Sequence, residues 1–301
     1  VHIMFKILDS SGYDFLEQKK KAIIVSSFLF IISFVSFFSQ GLNYGIDFSS
    51  GYIIQLQFDR DIQIEDLKKN LSNNNVSKSV IQYYGSKSDI LIKLQQSDSY
   101  SQENINNIIN DSFKDYKFKI QKLDFVGSQV GSELRTKGEW AMLVALLSIL
   151  VYIGFRFEFL YGIGAIVALI HDVVITLGIF SILQLQFDLS VLSALLAVIG
   201  YSLNDTIVVF DRIRENSRLM YANSSTDILN QSINQTLSRT VITSLTTLFV
   251  LLSLLSLGGI AVKYFAIAMI IGVLVGTYSS IYIAGASLFF LKVLENKEER
   301  D

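Results

Sequence analysis

Six long apolar blocks constrain the fold of this 301-residue chain more than any other feature. A stretch of about 20 apolar residues is long enough to cross the hydrocarbon core of a bilayer as a helix. The mean hydropathy is +0.44 and 17% of the residues are charged, against about 25% in ordinary soluble domains. The sequence therefore predicts a polytopic α-helical membrane protein with spans at 22–40, 139–157, 160–183, 189–210, 239–257 and 263–291.

The first span has the character of a retained signal anchor. Three lysines, at 19–21, precede its apolar core. A cleaved signal peptide has a shorter apolar core and ends in a small-residue cleavage site. This segment instead continues into the polar stretch "SQGLNYGIDF" with no such site, so we expect it to stay in the membrane.

The polar stretch 41–138 between the first two spans predicts one small α+β domain. Alternating strand and helix patterns favour strands at 51–58, 79–85, 89–95 and 118–126, and helices at 61–71 and 99–113, the second capped by Ser101. The order β-α-β-β-α-β is that of the split βαβ, ferredoxin-like motif. The candidate core positions of the two helices are Ile62, Leu67, Leu71, Ile105, Ile108 and Ile109.

The distribution of lysine and arginine predicts the orientation in the membrane. The flank 1–21, the linker 211–238 and the tail 292–301 carry several basic residues, whereas the short loops on the other side carry only Lys263. Basic flanks face the cytoplasm, and long loops are translocated regardless of charge. Both termini are therefore predicted to be cytoplasmic and the domain 41–138 periplasmic. The linker is predicted to be an interfacial helix-turn segment, with a partner-binding role left open.

Two acidic residues lie well inside the apolar blocks, and both are candidate functional residues. Asp205 follows Asn204 in the fourth span, and Asp172 follows His171 near the middle of the third. A charge at the bilayer centre costs about 3 kcal/mol on insertion scales, so intramembrane acids usually face the bundle interior and mark ion or proton pathways. The alternative for each acid is a neutral carboxyl that only bonds helices together, and His171 could likewise be a simple helix-helix hydrogen-bonder.

A basic residue at the start of the fifth span is the candidate partner of Asp205. Arg239, Thr243, Thr246 and Thr247 fall on one helical face that runs inward from the predicted cytoplasmic edge. Arg239 and Asp205 flank the same loop, so the two side chains belong to the same half of the membrane and could pair. Arg239 could also be a snorkelling anchor without a functional role.

Small residues in two spans predict close helix packing. Glycine and serine at intervals of four let helix backbones approach each other. The candidates are Ala197 and Gly200 in the fourth span and Gly272, Gly276 and Ser280 in the sixth.

The composition excludes several classes of site. The chain has no cysteine and two histidines, so disulfides and thiolate sites are excluded and a His-rich zinc site is not expected. A net charge of −2 gives no basic surface for nucleic acid. We expect neither a metal nor a cofactor.

Several motifs resemble those of the SecF family, the smaller membrane subunits of the SecD–SecF protein-export complex. The resemblance covers essentially the whole chain and is most specific in "GYSLNDTIVVFDRIREN" at 200–216. The stretches "HDVVITLG", "LSRTVITSLTTL" and "GVLVGTYSSIYIA" agree in order and spacing. The stretch "NYGIDFSSG" is similar to the family's periplasmic motif and contributes Gly45, Ile46, Asp47, Phe48 and Gly51.

The resemblance implies a function that the residues alone do not. It implies that the chain is a member of the RND superfamily and is not an enzyme. It also implies that the chain works with SecD in the bacterial inner membrane. Proton flow would help pull unfolded preproteins from the SecYEG channel, with YajC as a further partner. It also implies that Asp205 and Arg239 match the proton-pathway acid and its basic partner, with Asn204, Asp172, His171, Thr243 and Thr247 as weaker candidates.

Two other functions compete with this one. One is half of an RND-type exporter of small molecules or lipids, because such pumps have about twice as many spans and two large outer domains. The other is an intramembrane aspartyl protease, which needs two facing carboxyl groups that share a proton. That class carries a Gly-x-Gly-Asp segment, whereas Ser202, Leu203 and Asn204 precede Asp205 here.

Overall fold

A computed structural model describes residues 12–74, 76, 79–96, 104–157, 159–220 and 224–290. Within these residues, six helices are long and apolar enough to cross a membrane, and a small sheet domain lies between the first two. The predicted fold class is therefore confirmed. The predicted Ser101 cap, the flank up to residue 11 and the tail 292–301 lie outside the described residues.

The secondary-structure elements are numbered in chain order. They are α1 (Lys19–Gln40), β1 (Asn43–Tyr44), β2 (Gly51–Phe58), α2 (Ile64–Asn73), β3 (Ser79–Tyr84), β4 (Ser86–Gln95), α3 (Ile105–Ser112), β5 (Phe118–Val126), α4 (Ser128–Arg156), α5 (Phe159–Ile182), β6 (Gln186–Phe187), α6 (Leu189–Leu219), α7 (Ser225–Leu257) and α8 (Lys263–Phe290), with a turn of 3₁₀ helix at Ile260–Val262. The six candidate spans are α1 and α4 to α8.

The sheet domain has the ferredoxin-like order that the sequence predicts. Its strands lie in the order β3-β4-β2-β5, and every neighbouring pair is antiparallel. Side chains alternate between the faces of a strand, so one face of β2 packs into a core with α2 and α3. Ile54 and Leu56 of β2 are buried there, as are Leu67 and Ile109 of the helices.

Three membrane helices extend beyond the predicted spans. Helix α4 begins at Ser128, inside the predicted domain, and α6 and α7 continue to Leu219 and from Ser225 through most of the predicted linker. The chain has no proline, so nothing in these stretches removes a backbone donor and ends the helix early. Most of the predicted interfacial linker is therefore part of these two long helices.

Helix α8 packs against α5, α6 and α7, and close contacts at glycines hold this group together. A side chain at Gly272 would collide with Val198 of α6, and one at Gly178 of α5 would collide with Ser33 of α1. Helices α1, α4 and α7 bury the smallest share of their apolar residues. The bundle therefore has α5, α6 and α8 at its centre.

A parallel pair of two-residue strands joins the end of the first span to the start of the fourth. Asn43 pairs with Gln186 and Tyr44 with Phe187. This pair lies on the side of the bundle that carries the sheet domain, here called the domain side. It fixes the position at which α6 enters the membrane.

Candidate functional site

Asp205 lies inside the bundle without a hydrogen bond to satisfy its carboxyl group. Its side chain is on α6 and is 2% exposed. Within the described residues neither carboxyl oxygen accepts a hydrogen bond, and Oδ2 is fully enclosed. Three hydroxyls in the same region, those of Thr206, Ser238 and Thr240, also lack partners there. A buried polar group without a partner costs free energy, so such groups mark functional positions.

Arg239 does not form an ion pair with Asp205 in the part of the chain that the structure describes. Its side chain is exposed because it lies on the outward face of α7, while the next residue, Thr240, turns inward. Arg239 and Asp205 lie on α7 and α6, two helices that pack against each other. The structure thus places the two side chains in the same region without joining them.

The threonines that follow Arg239 satisfy their hydroxyls on their own helix. Thr243 donates to the carbonyl of Arg239 at 2.7 Å, and Thr247 donates to the carbonyl of Thr243 at 2.9 Å. Thr246 donates to the carbonyl of Ile242. Among the described contacts, these hydroxyls do not bind Asp205 or the guanidinium of Arg239. The polar stripe is therefore present, but no described hydrogen bond connects it to Asp205.

Asp172 has the opposite environment, because its carboxylate is fully hydrogen-bonded. It is 0% exposed and lies where α5, α6 and α8 meet. Ser202 of α6 donates to Oδ2 at 2.6 Å and Ser279 of α8 donates to it at 2.8 Å. His171 Nδ1 lies 3.0 Å from Oδ1. Asp172 therefore ties three helices together, which the sequence did not reveal because its partners are distant along the chain.

His171 connects this network to a groove on the lipid side of the bundle. Its Nε2 atom is buried and has no hydrogen-bond partner among the described residues. The imidazole lines a mostly apolar groove of about 500 Å³ between α1, α5 and α8. The polar groups that share this lining include Ser26 and Ser287.

One face of α6 carries small and polar residues but is exposed on the outside of the bundle. Its exposed residues are Ser193, Ala197, Gly200 and Asn204. A side chain added at Gly200 would meet no atom within 4 Å. Gly200 therefore has no packing partner among the described residues, which leave its face of α6 uncovered. A bare polar face at membrane depth is costly unless another helix covers it.

The other predicted packing residues do make helix contacts. A Cβ at Gly276 of α8 would lie 3.0 Å from the Cβ of Ser202 and 3.5 Å from Oδ2 of Asp172. Ser280 is buried and donates to the carbonyl of Thr277. A larger residue at 276 would press on Ser202, which donates a hydrogen bond to Asp172.

The motif at 45–51 forms a compact junction on the domain side. Asp47 accepts a hydrogen bond from the backbone N–H of Leu189 at 3.2 Å, at the first turn of α6. Ile46 and Phe48 are buried beneath it. A side chain at Gly45 would meet Gln186, and a side chain at Gly51 would meet the carbonyl group of Leu94. This motif thus anchors the helix that carries Asp205.

The chemistry available to this site is proton exchange. Within the described residues no group of three or more His, Cys, Asp or Glu side chains could hold a metal ion. Burial favours a neutral carboxyl, and a nearby cation favours the charged form. Asp205 has a cation in its region and no competing hydrogen bond, so it can change its protonation state without breaking a contact.

Comparisons with known proteins assign the chain to a family. Residues 104–294 match the family described as protein export membrane protein SecD/SecF, C-terminal, and residues 35–62 match the SecD/SecF GG motif. A curated protein translocase subunit SecF from Calditerrivibrio nitroreducens is 44% identical over 97% of this chain and 98% of its own length. One from Vibrio alginolyticus is 43% identical over 94% of this chain and 91% of its own length.

A solved structure has the same fold. The crystal structure of SecDF from Thermus thermophilus, described as a translocon-associated membrane protein, matches with a TM-score of 0.81 and 37% sequence identity. The match covers 94% of this chain but 39% of the SecDF chain. This chain therefore corresponds in length to the curated SecF relatives and to about two fifths of SecDF.

Proposed function

The chain belongs to the SecD/SecF family, and we propose that it acts as the SecF subunit of the Sec protein-export machinery. In this proposal it assembles with SecD and uses the proton-motive force to promote preprotein translocation through SecYEG. The observation that carries the proposal is Asp205, a buried carboxyl group without a hydrogen bond in the described part of a membrane helix.

The free face of α6 supports assembly with SecD. Gly200 and Asn204 are exposed at membrane depth, and small residues permit close approach of another helix. A partner helix on this face would cover Asn204 and bring new groups close to Asp205 on the same helix. YajC is a further partner in the proposal on family grounds alone.

The mechanism assigns different roles to two side chains. Asp205 takes up a proton from one side of the membrane and releases it to the other. Arg239 favours the charged form whenever the two side chains approach, so relative movement of α6 and α7 changes the affinity of Asp205 for the proton. Each charge that crosses the membrane potential contributes about 2.3 kcal/mol per 100 mV, which is enough to bias a movement of the outer domain.

The proposed orientation follows from the basic residues. The start of α1 and the turn between α6 and α7 face the cytoplasm, and the sheet domain faces the periplasm of a bacterial inner membrane. Cysteines introduced separately at Ser225 and Asn73 should be labelled from opposite sides, and labelling of Ser225→Cys from the outside would reverse the assignment.

The sheet domain is proposed to contact unfolded preprotein. Its β3 and β5 strands are both edges, and an edge strand offers unpaired backbone groups to an extended chain. Photo-crosslinkers placed along these edges should trap an exporting preprotein in vesicles that contain SecD and the channel. Failure to trap any preprotein would argue against this contact.

The proton role is tested by preprotein export into inverted vesicles, with and without an uncoupler. Asp205→Asn and Arg239→Met should assemble with SecD and remove the uncoupler-sensitive part of export, while ATP-driven export persists. Asp211→Asn is the matched control, because Asp211 is an exposed acid on the same helix, 3.6 Å from Arg156. Full uncoupler-sensitive export by Asp205→Asn vesicles would reject the proposal.

The competing functions have weaker support. No hydrogen bond joins Asp172 to Asp205 among the described residues. The carboxylate of Asp172 instead accepts hydrogen bonds from Ser202 and Ser279. This arrangement does not favour a protease that needs two facing carboxyl groups. Export of a small molecule remains the alternative if the vesicle assay fails.

A further inference from the structure

A polar pocket of about 390 Å³ separates the sheet domain from the membrane helices. Lys68 of α2 and Lys93 of β4 line it from the domain. Asn43, Gln186 and Tyr264 line it from the membrane part. The pocket therefore has walls from both parts of the molecule.

The only charged side chains among the described residues that line the pocket are two lysines. Asp188 lies beside the lining residue Gly45, and its carboxylate accepts hydrogen bonds from the first turn of α6. Neither Lys68 nor Lys93 forms an ion pair among the described residues. None of the described residues that line the pocket is acidic. Lys263, the only basic residue on the short loops of this side, directly precedes Tyr264 in the chain. Lys68 and Lys93 belong to the long translocated domain, where basic residues are tolerated, so Lys263 is the one exception to the positive-inside rule on the short loops of this side.

The depth of the pocket matches that of lipid headgroups. Asn43 lies three residues after the end of α1, Gln186 lies four residues after the end of α5, and Tyr264 is the second residue of α8. The three residues thus lie at or just beyond the domain-side ends of candidate membrane helices, where a bilayer surface is expected. The tyrosine fits the aromatic belt at the membrane–water interface.

From these observations we propose that the pocket binds the phosphate headgroup of an anionic phospholipid in the leaflet on the domain side. The two lysine ammonium groups pair with the phosphate. The Tyr264 hydroxyl and the Gln186 amide can donate further hydrogen bonds. Tyr44 and Val80, which also line the pocket, provide apolar surface for the glycerol and the first methylene groups.

A bound headgroup would contact both parts of the molecule at once. The floor of the pocket is rigid because Asn43 and Gln186 belong to the β1–β6 pair, and Gln95 of β4 donates to the Tyr44 carbonyl at 3.3 Å. The opposite wall, with Lys68 and Lys93, belongs to the sheet domain. The lipid therefore acts as a tether that holds the domain close to the membrane surface.

Lipid binding to the full chain in detergent tests the proposal, with native mass spectrometry as the measurement. Palmitoyl-oleoyl phosphatidylglycerol is the anionic probe and palmitoyl-oleoyl phosphatidylcholine the zwitterionic one. A basic residue near a membrane surface contributes about a 5-fold change in affinity, so Lys68→Gln with Lys93→Gln should weaken phosphatidylglycerol binding by about 25-fold. Lys69→Gln with Lys87→Gln removes the same charge from the same domain outside the pocket and should leave binding close to wild type.

Tyr264→Phe gives a second, milder variant in case the double substitution disturbs folding, and it should also weaken binding of the anionic lipid. Equal binding by wild type, Tyr264→Phe and the Lys68/Lys93 variant would overturn the proposal. Displacement of the lipid by inorganic phosphate alone would overturn the lipid assignment in favour of a free-phosphate site. Displacement by an acidic peptide would overturn it in favour of a polypeptide site.

Discussion

Asp172 and Asp205 are both buried acids in membrane helices, but only one of them is satisfied. Asp172 accepts hydrogen bonds from Ser202 and Ser279, whereas Asp205 accepts none among the described residues. A carboxyl with several donors is held in one state, and a change of protonation would cost it those contacts. A carboxyl without donors breaks no hydrogen bond when it changes state, while its burial favours the neutral form. The comparison shows that Asp172 holds three helices together, and it supports the proposal that Asp205, not Asp172, carries the proton.

The largest difference between the two acids should appear in stability. Asp172→Ala would leave Ser202, Ser279 and His171 without their acceptor and should destabilise the fold by about 2 kcal/mol. Asp205→Ala is the matched variant and should cost less, because no described hydrogen bond is lost. Thermal unfolding in detergent micelles measures the stability of both variants. A larger loss of stability for Asp205→Ala than for Asp172→Ala would contradict this assignment.

A substitution beside Asp172 sharpens the comparison without changing either acid. In Gly276→Ala the new methyl group would press on Ser202 at 3.0 Å and separate it from Asp172. We expect a cost of about 1 kcal/mol, since overpacking displaces neighbouring side chains. Gly200→Ala adds the same methyl group where no atom lies within 4 Å, so the stability of the isolated chain should not change. Equal melting temperatures for the two variants would show that the Asp172 contact is not tight.

The smallest effect is expected at a third acid, which is satisfied but exposed. Hydrogen bonds from the Glu17 backbone N–H and the Asn230 side chain lower the pKa of Asp14 below its ordinary value of 3.8. Because the folded pKa is lowered, the stabilisation is present above pH 3.8 and is lost as the pH falls through the folded pKa. Solvent screens exposed groups, so the global stability should hardly change.

Hydrogen exchange of the segment 13–17 measures this local effect. Asp14→Asn should speed exchange there at neutral pH, and wild-type protein should approach the same rate only in acid. Glu17→Gln is the control, since no described side-chain hydrogen bond involves Glu17. Identical exchange in wild type and Asp14→Asn at neutral pH would show that the hydrogen bonds of Asp14 do not stabilise this segment.

The sequence was sufficient to predict those elements whose residue pattern depends on neighbours along the chain. Apolar length predicted the six spans, and strand-helix alternation predicted the order of the sheet domain. Asp205 and Asp172 stood out because an acid is unusual in an apolar block. Each of these features depends on neighbours along the chain.

Features that depend on how helices cross were not predictable. The pairing of Asp172 with Ser202 and Ser279 joins residues that are distant along the chain, and serine in a span has many possible partners. The outward turn of Gly200 and Arg239 depends on the rotation of α6 and α7 about their axes. The β1–β6 pair has two residues per strand, too few for any periodicity.

Infrared difference spectroscopy of the reconstituted chain with SecD tests the central claim most directly. Acidification should produce a protonated-carboxyl band that Asp172→Asn retains and Asp205→Asn loses. This result would show that Asp205 is the acid in this chain that exchanges a proton. A band that survives in Asp205→Asn and disappears in Asp172→Asn would contradict the account, because the fully hydrogen-bonded acid would then be the proton carrier.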